Sequence, residues 1–508
     1  MARKHIIRNL CYGRTMCILL LLLAQIGIVL GMLFVAIEGI PALMGGMAVF
    51  TAGMMLVVIN TRGNAQIKLA WCALIAVIPV LGTAIYLFAT WDIGHRAMNR
   101  MVQRTLRDTR RYQKEDAILC ETLQREDPAF FGVVRYLQEK GFTAYDDTQV
   151  TYYPVGERMY QAMLEELKKA EQFIFLEYFL IDNGKMWQGI LDILKEKAAQ
   201  GVLVRVLYDG SCAVSCLPDS YPRELEKLGI ACKVFSPFRP LVSTHYNNRD
   251  HRKIAVVDGK TAFTGGINLQ DRYINQGSPF GHWKDTAVRL HGKAVRGLTL
   301  MFLQMWNCNQ QLEELMPFLV EVPASAGGCV IPYGDTPTDD AHIAKAVYMH
   351  ILNQAKDYVY IMTPYLILDD EMISALCFAV NRGVDVRLLV PHIPDKKLIF
   401  VLTRSFYREL MEKGVKIYEY TPGFVHGKMF LSDDAHGIVG TINLDYRSLY
   451  LHYECAAYLY RVDALEDIRQ DFEDAFAKST PITMQELGKQ KGIFRLVSAV
   501  LRVFAPLL

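Results

Sequence analysis

The chain opens with three long apolar runs and then changes character. Residues 16–37 are almost entirely apolar, residues 42–59 carry no charge, and residues 69–89 form a third run broken by Pro79 and Gly82. Each approaches the roughly 20 residues a helix needs to cross about 30 Å of hydrocarbon. Arg3, Lys4, Arg8 and Arg14 precede the first run, as they would in a cleaved signal peptide. That run is longer than a signal core, no small-x-small cleavage site follows it, and two more runs come after, so retained membrane anchors are expected. The basic N-terminus, the loop with Arg62 and Lys68, and the basic stretch after the third run all favour the cytoplasmic side. Three full crossings cannot satisfy all three demands. Either one run is re-entrant, the third being the best candidate because of Pro79 and Gly82, or one cluster is overruled. The cluster after the third run is the strongest, and it places the rest of the chain in the cytoplasm.

From about residue 130 the pattern becomes short strand-like runs alternating with helical spacing, which predicts α/β architecture. Residues 173–180 read as a strand, 187–200 as a helix, 201–207 as a Val-rich strand, and 232–235 and 254–257 as further strands. The second half repeats this order. Residues 359–367 answer 173–181, 383–389 answer 201–207, and Glu409-Leu410 leading to Gly414 answers Glu224-Leu225 leading to Gly229. Such self-similarity is an internal duplication, with its joint in the Pro, Ala, Ser and Gly stretch at 323–328. The predicted fold class is therefore α/β, with two duplicated lobes of mixed sheets flanked by helices and an N-terminal helical transmembrane region. The expected division is a membrane region at 1–91 with two or three apolar helices, a basic juxtamembrane linker at 92–130, lobes at 131–322 and 323–480, and a C-terminal amphipathic helix at 481–508.

One short pattern occurs once in each half. His251-Arg252-Lys253 runs through four residues to Asp258, and His426-Gly427-Lys428 runs through four to Asp433. Asn268 follows the first histidine, and Asn443 the second, at the same spacing, in Gly265-Gly266-Ile267-Asn268 and Gly440-Thr441-Ile442-Asn443. All these positions are offset by 175 residues. On a strand, side chains at i and i+2 share a face, so His-x-Lys sets an imidazole beside an ammonium. An imidazole can attack an electrophile or shuttle a proton, and an ammonium with asparagine donors can neutralise phosphate oxygens. Two facing copies divide a displacement between a nucleophile and an acid, with no metal required. Asp258 and Asp433 lie too far along to share that face and are expected to support it through hydrogen bonding or turn structure.

Composition narrows the picture. At 508 residues and 52% hydrophobic, the chain holds two sizeable cores besides its apolar runs. A net charge of +2 argues against a globally basic nucleic-acid binder. The asymmetry is local: Arg96, Arg100, Arg104, Arg107, Arg110, Arg111 and Lys114 are balanced only by Asp92 and Asp108 across residues 92–114. Such a cluster suits anionic lipid headgroups at about 1 kcal/mol per residue, and is equally the solvated face of a helix carrying an orientation signal. Eleven dispersed cysteines without a Cys-x-x-Cys pair suit reduced thiols, and Cys212 and Cys216 read as packing rather than metal ligands.

The paired patterns resemble those of the phospholipase D superfamily and, more narrowly, of the bacterial cardiolipin synthases. The resemblance runs nearly the whole chain, through Trp71, Ile78-Pro79-Val80-Leu81-Gly82, Leu176-Glu177-Tyr178, Arg249-Asp250-His251-Arg252-Lys253, Trp283-Lys284-Asp285, Thr363-Pro364-Tyr365, Asn443-Leu444-Asp445-Tyr446-Arg447-Ser448 and Glu454. It implies phospholipase D-like lobes, a multi-pass bacterial membrane protein, and transfer of a phosphatidyl group between two phosphatidylglycerol molecules through a phosphohistidine, without cofactor or metal. A membrane-anchored phospholipase D releasing phosphatidic acid shares the first half of that reaction. Carried onto this chain, His251 and His426 become nucleophile and acid, with His251 the nucleophile by analogy. Lys253, Lys428, Asn268 and Asn443 become phosphate ligands. Asp258, Asp433, Asp285 and Glu454 become orienting carboxylates, and Glu177 a weaker candidate at the substrate. Two features depart from the family pattern: a third apolar run, and Gly440-Thr441 where the first copy has Gly265-Gly266. At the C-terminus, residues 493–504 put Arg495, Ser498, Ala499 and Arg502 on one helical face and apolar residues on the rest, a helix suited to the lipid interface.

Overall fold

The Val-, Ile- and Phe-rich runs of the first half become strands buried on both faces. β1 (Thr148–Tyr153), β2 (Phe173–Tyr178), β3 (Leu203–Asp209), β4 (Ala231–Phe235), β5 (Lys253–Val257), β6 (Thr261–Gly265), β7 (His282–Lys284) and β8 (Ala287–Gly292) appear in order. Seven of them form one sheet in the order β1-β8-β6-β5-β2-β3-β4. β2, β3 and β4 run parallel, and β5, β6, β8 and β1 pair antiparallel, so the sheet is mixed. Every residue of β2, β5 and β6 is buried, which is why these runs show no alternation in sequence. This computed structural model describes residues 40–90, 93–237, 248–322, 324–338, 341–488 and 492–507. The first apolar run lies outside the described residues.

The second half contributes β9 (Cys329–Asp335), β10 (Tyr358–Met362), β11 (Asp385–Pro391), β12 (Lys416–Tyr420), β13 (Gly423–Val425), β14 (Met429–Ser432), β15 (His436–Gly440), β16 (Glu454–Tyr460) and β17 (Ser479–Pro481). Its sheet runs β17-β12-β11-β10-β14-β15-β16-β9. Read from β9, that order repeats the first sheet strand for strand and adds β17 at the far edge. Two α/β lobes of one topology are thus joined head to tail in sequence. Between them lies the helix Val295–Asn307, nearly every residue of it buried, touching β2, β5, β6 and β8 of one sheet and β9 of the other. β6 also touches β15 and β16 directly.

The helices are closed by ordinary local chemistry. Asp127 caps Pro128–Lys140 by accepting from Phe130 N, and Gly141 at φ 94° ends it in the left-handed conformation. The basic stretch between the apolar runs and the first lobe is helical: Ile93–Thr109, a 3₁₀ turn at Arg110–Tyr112, and Ala117–Glu126. Arg296 ties Tyr112 down through its carbonyl oxygen at 2.9 Å, and Gln304 donates to Thr109 Oγ1 at 3.0 Å.

The chain divides into two compact units, one with residues to Asn99 and from Ala499 on, the other with Arg100–Pro237 and Asn248–Ser498. In the first, helices Ile40–Ile59, Ala65–Val77 and Pro79–Thr90 follow one another. The third apolar run is two helices, not one. Pro79 cannot continue the ladder, Ile78 leaves the helical region, and a Cβ on Gly82 would meet Leu74 O at 2.8 Å. Trp71 and Tyr86 meet edge to face at 5.4 Å, so the run doubles back as a hairpin. Among the described residues no helix is long and apolar enough to cross a membrane. Ile40–Ile59 has 20 residues and no charge, but its first five side chains lie outside those described. At the other terminus, Gly492–Phe504 buries Ser498 and exposes Ile493, Leu496, Val497, Val500 and Val503.

Candidate active site

The two histidines do not sit within strands, as the i, i+2 reading supposed. Each lies in the extended segment just before one, where it crosses to the opposite lobe. His251 N donates to Tyr453 O at 2.9 Å, and His426 N donates to Lys284 O at 2.7 Å. A short parallel pairing leads into each contact: Asp250 bridges Tyr453, and β13 pairs with β7. The two contacts are equivalent by the duplication, and each ends beside a carboxylate of the other half.

His251 Nδ1 lies 3.0 and 2.9 Å from the two oxygens of Glu454. His426 Nδ1 lies 2.6 Å from Asp285 Oδ2. Glu454 opens β16 and Asp285 lies two residues before β8, the equivalent strand, so the carboxylates correspond as the histidines do. An ionised carboxylate only accepts, so Nδ1 carries the proton in each pair and Nε2 keeps its lone pair. Each imidazole is thereby held by the lobe that does not carry it.

Turn chemistry explains how the carboxylates fit. A Cβ on Gly266 would fall 2.1 Å from Asp285 Oδ1. The matching position in the second half is Thr441, whose hydroxyl donates to Glu454 Oε2 and accepts from Cys455 N at 3.0 Å. The departure from Gly-Gly to Gly-Thr is therefore paired with the exchange of Asp for Glu. In sequence Thr441 stood out only as a departure in a tight turn, with no contact to suggest its role.

Burial sets the protonation of the cluster. Lys253 is pushed down to about 8 by burial, which Glu454 opposes, and Lys428 to about 7 by burial, which Asp285 opposes. Asp285 is raised by burial to about 6 against the pull of Lys428. His251 is lowered by burial to about 3, Glu454 resisting, and His426 falls well below its ordinary value through burial and then Lys428 and Lys253. Burial works against ionising Glu454, yet His251 holds it well below the usual carboxylate range. Lys253 acts on groups of both pairs, as Lys428 and Glu454 act on each other. One cluster therefore contains both histidines, both lysines and both carboxylates.

Within it, Lys428 Nζ lies 2.7 Å from His426 Nδ1, and Lys253 Nζ donates to His251 O at 2.5 Å. Asn268 Nδ2 donates to Tyr273 OH at 2.7 Å and Oδ1 accepts from Leu180 N at 3.1 Å. Tyr273 in turn sets its ring edge to face with His426 at 5.3 Å. Asn443 is buried, and its Oδ1 has no hydrogen-bond partner among the described residues.

Three expected site residues stand elsewhere. Asp258 accepts from Glu171 N, Gln172 N and Phe173 N, each at 2.8 Å. Asp433 accepts from Lys356 N at 2.8 Å, Asp357 N at 3.0 Å and Tyr358 N at 2.9 Å. Both occupy left-handed turns, at φ 52° and 51°, at the far ends of β5 and β14 from the histidines. They latch the starts of β2 and β10 and orient no imidazole. Glu177 is fully buried, 3.9 Å from Arg252 Nη1, with burial and then Asp250 raising it well above the carboxylate range. Its charged neighbours are Arg252 and Asp250, which flank His251 in the chain.

Two lobes of one topology, each lending a carboxylate to the other's His-x-Lys motif, define an enzyme of the phospholipase D superfamily. Residues 163–305 and 348–476 match the family model for the cardiolipin synthase, PLD-like domain, and residues 49–89 match that of the phospholipase D-nuclease N-terminal segment. The chain belongs to the cardiolipin synthase family of PLD-like phosphatidyltransferases. A cardiolipin synthase of Geobacillus thermodenitrificans is 35% identical over 462 residues, covering 89% of this chain and 90% of its own. Cardiolipin synthase 2 of Bacillus anthracis is 38% identical over 357 residues, 70% of this chain and 69% of its own. An uncharacterized protein of Streptococcus mutans is 47% identical over 459 residues, 90% of this chain and all of its own. The crystal structure of phosphatidylserine synthase from Haemophilus influenzae superposes with a TM-score of 0.57 at 13% identity, over 74% of this chain and all of that one, a likeness of fold.

Proposed function

We propose that this protein is a cardiolipin synthase that transfers a phosphatidyl group between two phosphatidylglycerol molecules through a phosphohistidine on His251. The observation that carries the mechanism is the crossed pairing of His251 with Glu454 and His426 with Asp285. His251 Nε2 attacks the phosphorus of one lipid, and the P–O bond to its terminal glycerol breaks. His426, which takes up a proton at Nε2 from solvent as the anionic phosphodiester enters the site, gives that proton to the departing alkoxide, and glycerol leaves. The hydroxyl of a second phosphatidylglycerol then gives its proton to His426 and attacks phosphorus, breaking the P–N bond. Cardiolipin is released and both imidazoles return to their starting state. Lys253 and Lys428 neutralise the equatorial oxygens, and the amide of Asn443 and the remaining amide N–H of Asn268 donate hydrogen bonds to them.

Membrane attachment fits the same reading. If the first run and Ile40–Ile59 cross, and the hairpin Ala65–Thr90 enters and returns on the cytoplasmic side, all three basic clusters lie in the cytoplasm. The outward apolar face of Gly492–Phe504, with Arg495 and Arg502, suits a bilayer containing anionic phosphatidylglycerol. The lobes divide at residues 322–323, with the anchors before residue 91.

The test is to incubate the purified protein with phosphatidylglycerol in detergent and chelator. Cardiolipin and glycerol are the expected products. Phosphatidic acid as the main product identifies a hydrolase instead. His251→Ala and His426→Ala each reduce turnover to a trace, and substantial activity in either rejects the shared site.

A further inference from the structure

One polar side chain at the edge of this site has, among the described residues, only a long ion pair to Glu454 and no hydrogen-bond partner within ordinary reach. His452 is nine-tenths buried, and neither ring nitrogen has a hydrogen-bond partner among the described residues. Its Nδ1 lies 3.6 Å from Glu454 Oε1, beyond hydrogen-bond reach, and its ring centre is 5.5 Å from that of His251. A buried polar group left unpaired costs free energy, and such groups in native proteins call for an explanation. The duplication sharpens the point. Two positions before Asp285, where His452 stands relative to Glu454, the first half has Trp283. The otherwise matched pairs thus differ by one imidazole.

His251, His452 and Glu454 each offer a ligand atom within 4.8 Å of the other two. A tetrahedral zinc ion, with ligands at about 2.0–2.1 Å, holds its donor atoms about 3.4 Å apart. With Glu454 Oε1 as the carboxylate donor, the observed separations of 3.0 Å to His251 Nδ1 and 3.6 Å to His452 Nδ1 bracket that spacing. We infer that His251, His452 and Glu454 form a site for a zinc-class dication, and that filling it switches the enzyme off. Two imidazoles and one carboxylate make a three-ligand set with a fourth position open. Imidazole donors favour zinc or cobalt over magnesium and calcium, which prefer oxygen. Binding expels the Nδ1 proton of His251 to solvent and replaces the His251–Glu454 hydrogen bond with two bonds to the metal. The nucleophile then loses both its orienting partner and electron density at Nε2. The inhibitory part rests on the function proposed above, whereas the binding site does not.

The experiment uses full-length protein stripped with chelator and titrated with cobalt(II) and zinc chlorides. Expected are one ion per chain, a tetrahedral cobalt absorption spectrum, and chelator-reversible inhibition of lipid turnover by zinc. His452→Phe is expected to bind more than about tenfold more weakly and to lose the spectrum. His452→Cys, which supplies a thiolate, is expected to keep the ion and show a thiolate–cobalt band. Each variant's zinc response is measured against its own metal-free rate. Equal affinity in wild type and His452→Phe, or no tetrahedral cobalt in wild type, overturns the site. Cobalt binding without inhibition overturns the switch alone. A metal-free protein that makes no cardiolipin counts against the proposed function, while its cobalt spectrum still decides the metal site.

Discussion

Asp258 and Asp285 are both buried aspartates of the first lobe, and they contribute to different properties. Asp258 satisfies three backbone N–H groups, whereas Asp285 holds a reacting imidazole. Asp258→Ala leaves those donors without their acceptor and is expected to cost about 2–4 kcal/mol of stability, read as a lower melting temperature with turnover of the folded fraction preserved. Asp285→Asn keeps the shape but no longer favours the right tautomer, so kcat is expected to fall by roughly 10²–10⁴ at an unchanged melting temperature. Had both variants lost activity alike, the assignment of Asp258 as a latch would be wrong. Titration adds a second expectation. Asp285, raised to about 6, is protonated as pH falls through that value and stops accepting from His426. Lys428, lowered to about 7, loses its proton as pH rises and no longer neutralises phosphate. The profile of kcat/KM is therefore expected to be a narrow bell with its acid limb near 6 and its alkaline limb near 7. A flat profile between pH 5 and about 9 contradicts those roles.

At the scale of elements, strands were legible because fully buried runs are unbroken in sequence. The His-x-Lys motif was legible as a pattern but not as a conformation. Its histidines leave the strand because they pair with the opposite lobe, a long-range contact that no local periodicity encodes. The orienting carboxylates Asp285 and Glu454 were named through the family resemblance, whereas the repeat itself did not relate them, because a loop shifts their register. Asp285 and Glu454 are 169 positions apart, whereas the histidines are 175 apart, so scanning at the motif's own offset sets Asp285 against Tyr460. The apolar runs raised the opposite problem, since hydropathy reported the length of the third run and Pro79 decided that it folds back. The C-terminal helix permits a direct test. Leu496 and Val500 are 61% and 52% exposed on its apolar face. Leu496→Asp with Val500→Asp is expected to lower turnover on phosphatidylglycerol vesicles by about tenfold while leaving turnover in detergent micelles within about twofold. Equal loss in both assays places the helix in core packing rather than at the lipid surface.

At the scale of the whole molecule, crossing the carboxylates makes each half incomplete alone, yet the two centres are not interchangeable. Glu454 stays ionised under the pull of His251 and a donating Thr441 hydroxyl, which suits an imidazole that must keep one tautomer while it forms and breaks a P–N bond. The partner centre combines Asp285 near 6 with Lys428 near 7, so the charges around His426 change close to neutral pH. That contrast favours His251 as nucleophile and His426 as acid and base, an assignment the repeated motif could not make. A phosphatidyl ester of p-nitrophenol separates the two roles, because nitrophenolate departs without a proton. His426→Ala is expected to release nitrophenolate in a burst stoichiometric with enzyme and to retain the phosphatidyl group on His251, since the second step lacks its base. His251→Ala has nothing to attack phosphorus and is expected to give no burst. Reversal of these outcomes transfers the nucleophile to His426, and leaves the crossed architecture to be explained by a different division of labour.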